Sequence, residues 1–383
     1  MLLDSAQVFA LCVPFRAHGV PVSHSAHRDR SASDSVVLRL SSAGRHGYGE
    51  AVFRDYVSGP ASGQQDLIGR AAETAARMLE PLAGRKITWR DAASDGTAAR
   101  PQDLPMMCAL ETAALDLACR IQGRDAYELL GLEPRRDRVT FSGTIPLVAA
   151  AKAASVITRF ARFGNSSFKI KLGSDPDENR AILAACREAV GERCDLRVDA
   201  NGAWAVADAD AHLGACRQNG VTAIEQPFSV TAPGADDALR AGVAEGFLFV
   251  ADEGFLTEGD LEAISRAGTY QLLNLRLAKN GGLTQVLRLA GMAAERGIGH
   301  QLGCMVGETG ILSALGRFAA SLLPAPRWVE GGYDRILFAQ HLTTEDFGFG
   351  QDGTAPVIRG AGIGYVVNEE RLSQFSIERV KLF

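Results

Sequence analysis

Residues 167–172 read SFKIKL. Two lysines, Lys169 and Lys171, alternate with Phe168, Ile170 and Leu172. Side chains on a strand point to opposite faces in turn, so the lysines share one face and the apolar residues the other. Lysines on a strand face outward at a solvated edge, or inward when the sheet closes and helices cover its outer face. The flanking sequence decides between these arrangements.

From residue 138 onward, short apolar stretches alternate with amphipathic helical ones. The strand candidates are RVTFSGTI, SFKIKL, CDLRVDANG, TAIEQPF, FLFVADEG, QLLNLRLAK, GIGHQLG and RWVEGG. A good helix, PLVAAAKAASVITRFARFG, separates the first two. Strand–helix alternation predicts a parallel sheet, and eight strands over roughly 190 residues match a TIM-type barrel. A barrel has no free edge, so Lys169 and Lys171 are expected to face its mouth.

One ionisable residue falls near the end of each of five successive strands. These are Lys171, Asp199, Glu225, Asp252 and Lys279, at intervals of 28, 26, 27 and 27 residues. The spacing places all five on the C-terminal rim, which carries chemistry in barrels while the opposite rim serves stability. Three carboxylates brought together repel unless a cation sits among them. All-oxygen ligation suits Mg²⁺, or alternatively Mn²⁺, over zinc, which prefers His and Cys. One acid at a strand–helix junction is often a helix cap; three at regular spacing point to metal ligands instead. Lys279 is expected across the ring from the lysine pair. Crowded cations and partial burial are the conditions under which a lysine can act as a base.

The first 60 residues carry three strand-like bursts, AQVFALCVPF, SVVLRL and GYGEAVF, and a helical pattern follows to about residue 131. A small α+β unit preceding the barrel is the natural reading. A chain of 383 residues, 46% hydrophobic and 22% charged, has a sizeable core. The net charge of -5 and the lack of a basic block exclude a nucleic-acid partner. Seven cysteines without CxxC spacing read as reduced thiols of a cytoplasmic protein. Neither a signal-peptide pattern nor a membrane-spanning run is found.

The motifs KIK, VDAN, EQP, ADE and LAKNGG, in this order and spacing, resemble the enolase superfamily. The lysine pair with an opposing lysine is similar to its muconate lactonizing enzyme subgroup. That subgroup includes cycloisomerases, dipeptide epimerases, N-acylamino acid racemases and o-succinylbenzoate synthases. The resemblance covers most of the chain. It implies an α/β fold with an N-terminal α+β capping domain over residues 1–131. A modified (β/α)7β barrel over 132–340 would follow, with a segment 341–383 returning to the cap. It implies Asp199, Glu225 and Asp252 as Mg²⁺ ligands, Lys171 and Lys279 as the acid/base pair, and Lys169 as the residue stabilising the enolate. Asn201 is implied in substrate binding, with Glu253, Asn274 and Arg276 behind the ligands. It further implies a small-molecule carboxylate substrate and a homo-oligomer.

Two features depart from the family pattern. Arg276 stands where another lysine is common. His300 has no aspartate at the end of the sixth strand to form a His–Asp dyad, which argues against the mandelate racemase subgroup. Specificity is implied to come from the cap loops and the last strand ends. Candidates are His24, His27, Arg28, Arg30, Arg54, Tyr56, His300, Cys304, Met305, Glu308 and Glu330. The chain has VEGGYD where dipeptide epimerases have Asp-x-Asp, leaving Glu330 and Asp334 as the acids there. The leading expectation is racemisation or epimerisation of an amino-acid derivative through an enediolate. The alternatives are a cycloisomerase, a dehydratase, or, from a different class, a non-catalytic binding barrel.

Overall fold

The computed structural model describes residues 1–16, 23–24, 28–29, 31–59, 64–93 and 100–383. Strands β1 (Ser5–Leu11), β2 (Val36–Ser42) and β3 (Arg45–Ala51) form an antiparallel sheet. The C-terminal strand Ser376–Lys381 pairs with β1 and completes its outer edge. Helices α1 (Gln64–Leu79) and α2 (Leu104–Gln122) accompany this sheet. Helix α2 lies so close to β3 that a Cβ at Gly49 would sit 1.9 Å from the Ala109 carbonyl oxygen. Glycine is what lets the two backbones meet there.

Seven parallel strands follow in sequence order: β4 (Gly143–Ile145), β5 (Ser167–Lys171), β6 (Asp195–Asp199), β7 (Ala223–Glu225), β8 (Leu248–Ala251), β9 (Leu272–Leu275) and β10 (Gly299–Leu302). Each connection carries a helix: α3 (Ala150–Arg162), α4 (Pro176–Val190), α5 (Ala209–Gln218), α6 (Ala235–Ala244), α7 (Glu258–Ala267) and α8 (Leu283–Glu295), with α9 (Gly310–Leu322) after β10. Helix α4 shows the local logic. The Asp175 side chain accepts from the amides of Asp177 and Glu178, and Pro176 occupies the first turn, where no amide is needed.

The eighth candidate strand, RWVEGG, is an extended segment with a single parallel bridge, Leu302 to Val329. It still closes the ring. Leu302 N donates to Trp328 O at 3.0 Å, Glu330 N to Leu302 O at 2.8 Å, and Ser142 N to Val329 O at 2.8 Å. Ala223, Val250, Leu272 and Trp328 form an apolar cluster of their own inside the barrel. The polar residues of the mouth lie further along the same inward faces.

Two buried carboxylates from the cap lock onto barrel helices. Glu50, on β3, accepts from Thr309 N at 3.0 Å, Thr309 Oγ1 at 2.8 Å and Leu312 N at 3.2 Å, capping α9. Glu111, on α2, accepts from Thr284 N at 3.0 Å at the start of α8. Gly282 makes room for it, since a Cβ there would lie 2.1 Å from Glu111 Oε2. A carboxylate at a helix start satisfies orphan amides and meets the positive end of the dipole. Replacing Glu50 by Ala should strand three buried donors and cost about 2–3 kcal/mol. Denaturant unfolding would show it as a lower midpoint, and an unchanged midpoint would mean that this cap does not hold the two units together.

Candidate active site

Register decides which side chains meet. Lys171 pairs with Asp199 across β5–β6, and Asp199 with Glu225 across β6–β7. Glu225 pairs with Val250, so Asp252, two residues on, falls on the same inward face just past β8. On β9 and β10 the inward pair is Asn274 with Gln301. Asp199, Glu225 and Asp252 are all fully buried on neighbouring strands.

Cations surround them. Lys169 Nζ lies 3.2 Å from Glu225, 3.4 Å from Asp199 and 2.9 Å from Glu330. Lys171 Nζ donates to Asp199 Oδ2 at 3.1 Å and to Asn201 Oδ1 at 2.6 Å. Arg276 Nη2 lies 2.5 Å from Asp252 and 3.3 Å from Glu225. Asn274 and Gln301 each donate to Glu225 at 2.7 Å.

The protonation preferences follow from these contacts. Burial alone would push Asp199 up, but Lys171 and Lys169 outweigh it and hold the carboxyl below its usual range. Asp252 is held down against burial by Arg276 and Lys279. Glu225 is pushed up to about 7 by burial, aided by repulsion from Asp199 and Asp252 although Lys169 opposes it. The charge of Lys169 is favoured well beyond the ordinary lysine, because Glu225, Glu330 and Asp199 overcome its burial.

The turns after the strands present these groups. Asn201 adopts a left-handed φ of 46°, which asparagine tolerates better than most residues. Its amide donates to Glu253 at 2.9 Å while its carbonyl receives Lys171. Gln226 organises the next turn, its Oε1 accepting from the amides of Asp252 and Gly254 at 3.1 Å each. Strand parity, inward at Asn274, also makes Gln301 legible as an inward residue.

Other expected residues are engaged within the protein. Lys279 is fully buried beyond β9, and its three N–H bonds go to Asp252 Oδ1 at 2.8 Å, Asp252 O at 2.9 Å and Asn274 O at 2.7 Å. Burial pushes its ammonium toward the neutral form against the pull of Asp252. His300 occupies the strand face opposite Gln301 and pairs with Leu273, away from the mouth. Burial pushes its imidazole down to about 4. Glu330 does reach the interior, but one oxygen takes Arg197 at 2.6 Å and the other Lys169 at 2.9 Å, so it is not free to hold an ammonium. Asp334 is buried at the start of the short helix Asp334–Leu337. Arg197, buried and stacked 4.7 Å from the Trp328 ring, is an interior charge that the sequence reading passed over.

The cap contributes Arg54 and Tyr56. Arg54 reaches Asp34 and the Val306 carbonyl oxygen. Tyr56 OH receives Arg276 Nη1 at 3.0 Å and sits 3.4 Å from Met305 Sδ. Glu308 folds back onto the Met305 amide at 2.6 Å, and burial pushes its carboxyl up to about 8. Cys304 is half-buried in the same loop, and all seven cysteines are free thiols. His27 and Arg30, with the side chains of His24 and Arg28, lie outside the described residues.

Three buried carboxylates on adjacent strand ends have the donor chemistry of a hard divalent cation site. As they stand they are turned toward Lys171, Arg276 and Lys279. Among the described residues, no three acidic, histidine or cysteine side chains converge to hold an ion. Ammonium and guanidinium groups lie against the same carboxylate oxygens.

The family model described as "Enolase C-terminal domain-like" matches residues 150–371. The chain belongs to the enolase superfamily. A hydrophobic dipeptide epimerase of Roseobacter litoralis is 32% identical over 302 residues, covering 76% of this chain and 80% of that one. Muconate cycloisomerase 1 of Pseudomonas putida is 27% identical over 275 residues, 70% of each chain. Both relatives are isomerases. Among solved structures, a dipeptide epimerase from Cytophaga hutchinsonii complexed with Mg and D-Ala-L-Val superimposes with a TM-score of 0.82 at 20% identity, covering both chains fully. That likeness establishes the cap-and-barrel fold. Among the described residues no helix is long and apolar enough to cross a membrane.

Within this superfamily barrel the two rim lysines should respond differently to truncation. Lys279→Met leaves Asp252 partly unpaired in the interior and should cost roughly 3–5 kcal/mol. Lys171, also buried, is 6% exposed, and its loss leaves Asp199 paired with Lys169, so Lys171→Met should shift the unfolding midpoint less. Equal losses for both variants would contradict a structural role peculiar to Lys279.

Proposed function

We propose that the protein is an isomerase that moves a proton at the carbon next to a substrate carboxylate, with Lys171 as the base on one face of that carbon. The observation that carries this reading is the contrast between the two rim lysines. Lys171 meets the mouth through Asp199 and the turn residue Asn201, whereas every N–H of Lys279 is committed to Asp252 and Asn274. In place of a second base, the sixth strand offers the guanidinium of Arg276. Its charge is favoured well beyond the ordinary arginine by Asp252, Tyr56 and Glu225 despite burial, so it does not take up a proton.

Asp199, Glu225 and Asp252 would hold a divalent cation, Mg²⁺ by analogy with the structural relative or Mn²⁺ by the same donor chemistry. When bound, such a cation supplies positive charge beside the substrate carboxylate and lowers the cost of the charge that builds there. Lys169, kept charged by its three carboxylates, adds a fixed cation on the same side. Lys171 takes the α-proton, and Asn201 orients it. Cycloisomerisation, in which a ring bond forms or opens as a proton is exchanged on one face, needs only this base. This reading favours a small carboxylate substrate; at the eighth segment Arg197 and Lys169 already occupy Glu330, while Asp334 is buried at the start of its short helix.

Epimerisation is the second reading, favoured by the activity named for the Roseobacter litoralis relative. It requires a proton donor on the face opposite Lys171, and Arg276 stands there. Exchange in D₂O with Mg²⁺ separates the readings across unsaturated lactone or diene acids, N-acyl amino acids and dipeptides. The single-base reading expects deuterium at the α-carbon in one configuration only. Deuterium in both configurations, with the substrate α-carbon racemised, would establish epimerisation. Lys171→Ala should reduce exchange about 10²–10⁴-fold, the usual weight of a general base. Thorough chelation should abolish exchange and added Mg²⁺ should restore it; exchange surviving chelation would remove the metal from the mechanism.

A further inference from the structure

Arg276 makes contacts that proton transfer by Lys171 does not use. Its guanidinium is only 7% exposed. Nη2 bridges Asp252 and Glu225, two of the three carboxylates, at 2.5 and 3.3 Å. Nη1 points the other way, to Tyr56 OH at 3.0 Å and Met305 Sδ at 3.6 Å. One fork thus spans from the acids of the barrel to a tyrosine of the cap. An incoming divalent cation needs the same oxygens, and at contact distance two cations on one carboxylate edge repel strongly in a buried setting.

The neighbouring cations are poorly placed to give way. Lys279 is tied by three hydrogen bonds. Lys169 is anchored from below by Glu330. Arg276 is different, because its Nε is buried without a partner. A vacant acceptor is close by: Asn274 Oδ1 is also buried and unpartnered. Both atoms flank Gly303, where an added Cβ would lie 3.1 Å from Arg276 Nε and 2.3 Å from Asn274 Oδ1. Rotation of the guanidinium away from the carboxylates can therefore exchange lost ion-pair contacts for a new hydrogen bond, while Tyr56 retains the other arm.

We propose that Arg276 is the resident counter-cation of Glu225 and Asp252, displaced toward Tyr56 and Asn274 when a divalent cation binds. Occupancy of the acidic site is then transmitted to the Tyr56–Met305 contact between cap and barrel. This inference rests on the metal-site reading above and concerns the arginine, not the reaction. It makes Arg276 a positioning residue that sets the affinity of the site and couples it to the cap.

The test uses Mn²⁺ binding to the full chain, read by loss of the free-ion paramagnetic resonance signal, together with the near-ultraviolet tyrosine signal during Mg²⁺ titration. Far-ultraviolet dichroism confirms that each variant is folded. Arg276→Gln should bind Mn²⁺ about tenfold more tightly, because the competing charge is gone. Arg276→Lys, which keeps the charge and protects the fold but cannot span both carboxylates and Tyr56, should also bind more tightly than the wild type, by about threefold. The wild type should show a tyrosine signal on Mg²⁺ addition that Tyr56→Phe largely loses. If Arg276→Lys binds as the wild type does, the effect is one of charge alone and displacement is overturned. A wild type that binds the ion with no tyrosine change overturns the coupling to the cap. Should no variant bind Mn²⁺ or Mg²⁺ at all, the metal-site reading itself fails and this inference fails with it.

Discussion

The structure depends on keeping many charges inside a closed barrel. Asp199, Glu225, Asp252 and Glu330 are carboxylates in a setting where an isolated ion would cost several kcal/mol or more. Lys169, Lys171, Arg197, Arg276 and Lys279 answer them, in contacts of 2.5–3.4 Å. No pair in this layer is independent. Lys169 alone touches three acids, and Glu330 is held by two cations. Removing one member leaves a buried charge behind, so the network fixes side-chain positions tightly. That rigidity holds the groups around Lys171 in defined positions.

The cap is attached by the same physics in milder form. Glu50 and Glu111 are buried acids with no ion pair among the described residues, and they are tolerated because the first amides of α9 and α8 point at them. The barrel helices thereby orient the cap over the rim. Tyr56 and Arg54 follow from that docking. The first meets Arg276 and the second meets the loop that follows β10. The cap and the charge compensation in the barrel are thus joined at one hydrogen bond.

Much of this was legible in the sequence because strand–helix units repeat at nearly constant length. Intervals of 26–28 residues brought Lys171, Asp199, Glu225 and Asp252 to one rim without any structural information. The same counting led to Lys279, which contacts Asp252 from the turn after the sixth strand. Strand β9 ends at Leu275, and Lys279 lies in the turn beyond it. Alternation continues from Leu272 through Asn274 to Arg276, so parity, not spacing, identifies the residue that faces the mouth. His300 and Gln301 repeat the lesson, since they are adjacent in sequence and on opposite faces. Glu330 illustrates a different gap. Its two partners lie 133 and 161 positions earlier in the chain, at Arg197 and Lys169, and no local pattern announces such pairings.

An arginine at the sixth strand end has consequences that a lysine would not. A lysine is a compact charge that can lose its proton when burial and neighbours favour it. A guanidinium keeps its charge, and its planar fork holds two carboxylates and a phenol at once. At this place in the ring it holds positive charge beside Asp252 and Glu225, and unlike a lysine it does not give up a proton. On the single-base reading, a substrate face turned toward Arg276 is chemically silent. On the single-base reading proposed above, the stereochemical outcome is set by Lys171, and the arginine at this strand end bears on which face of the enediolate can be protonated.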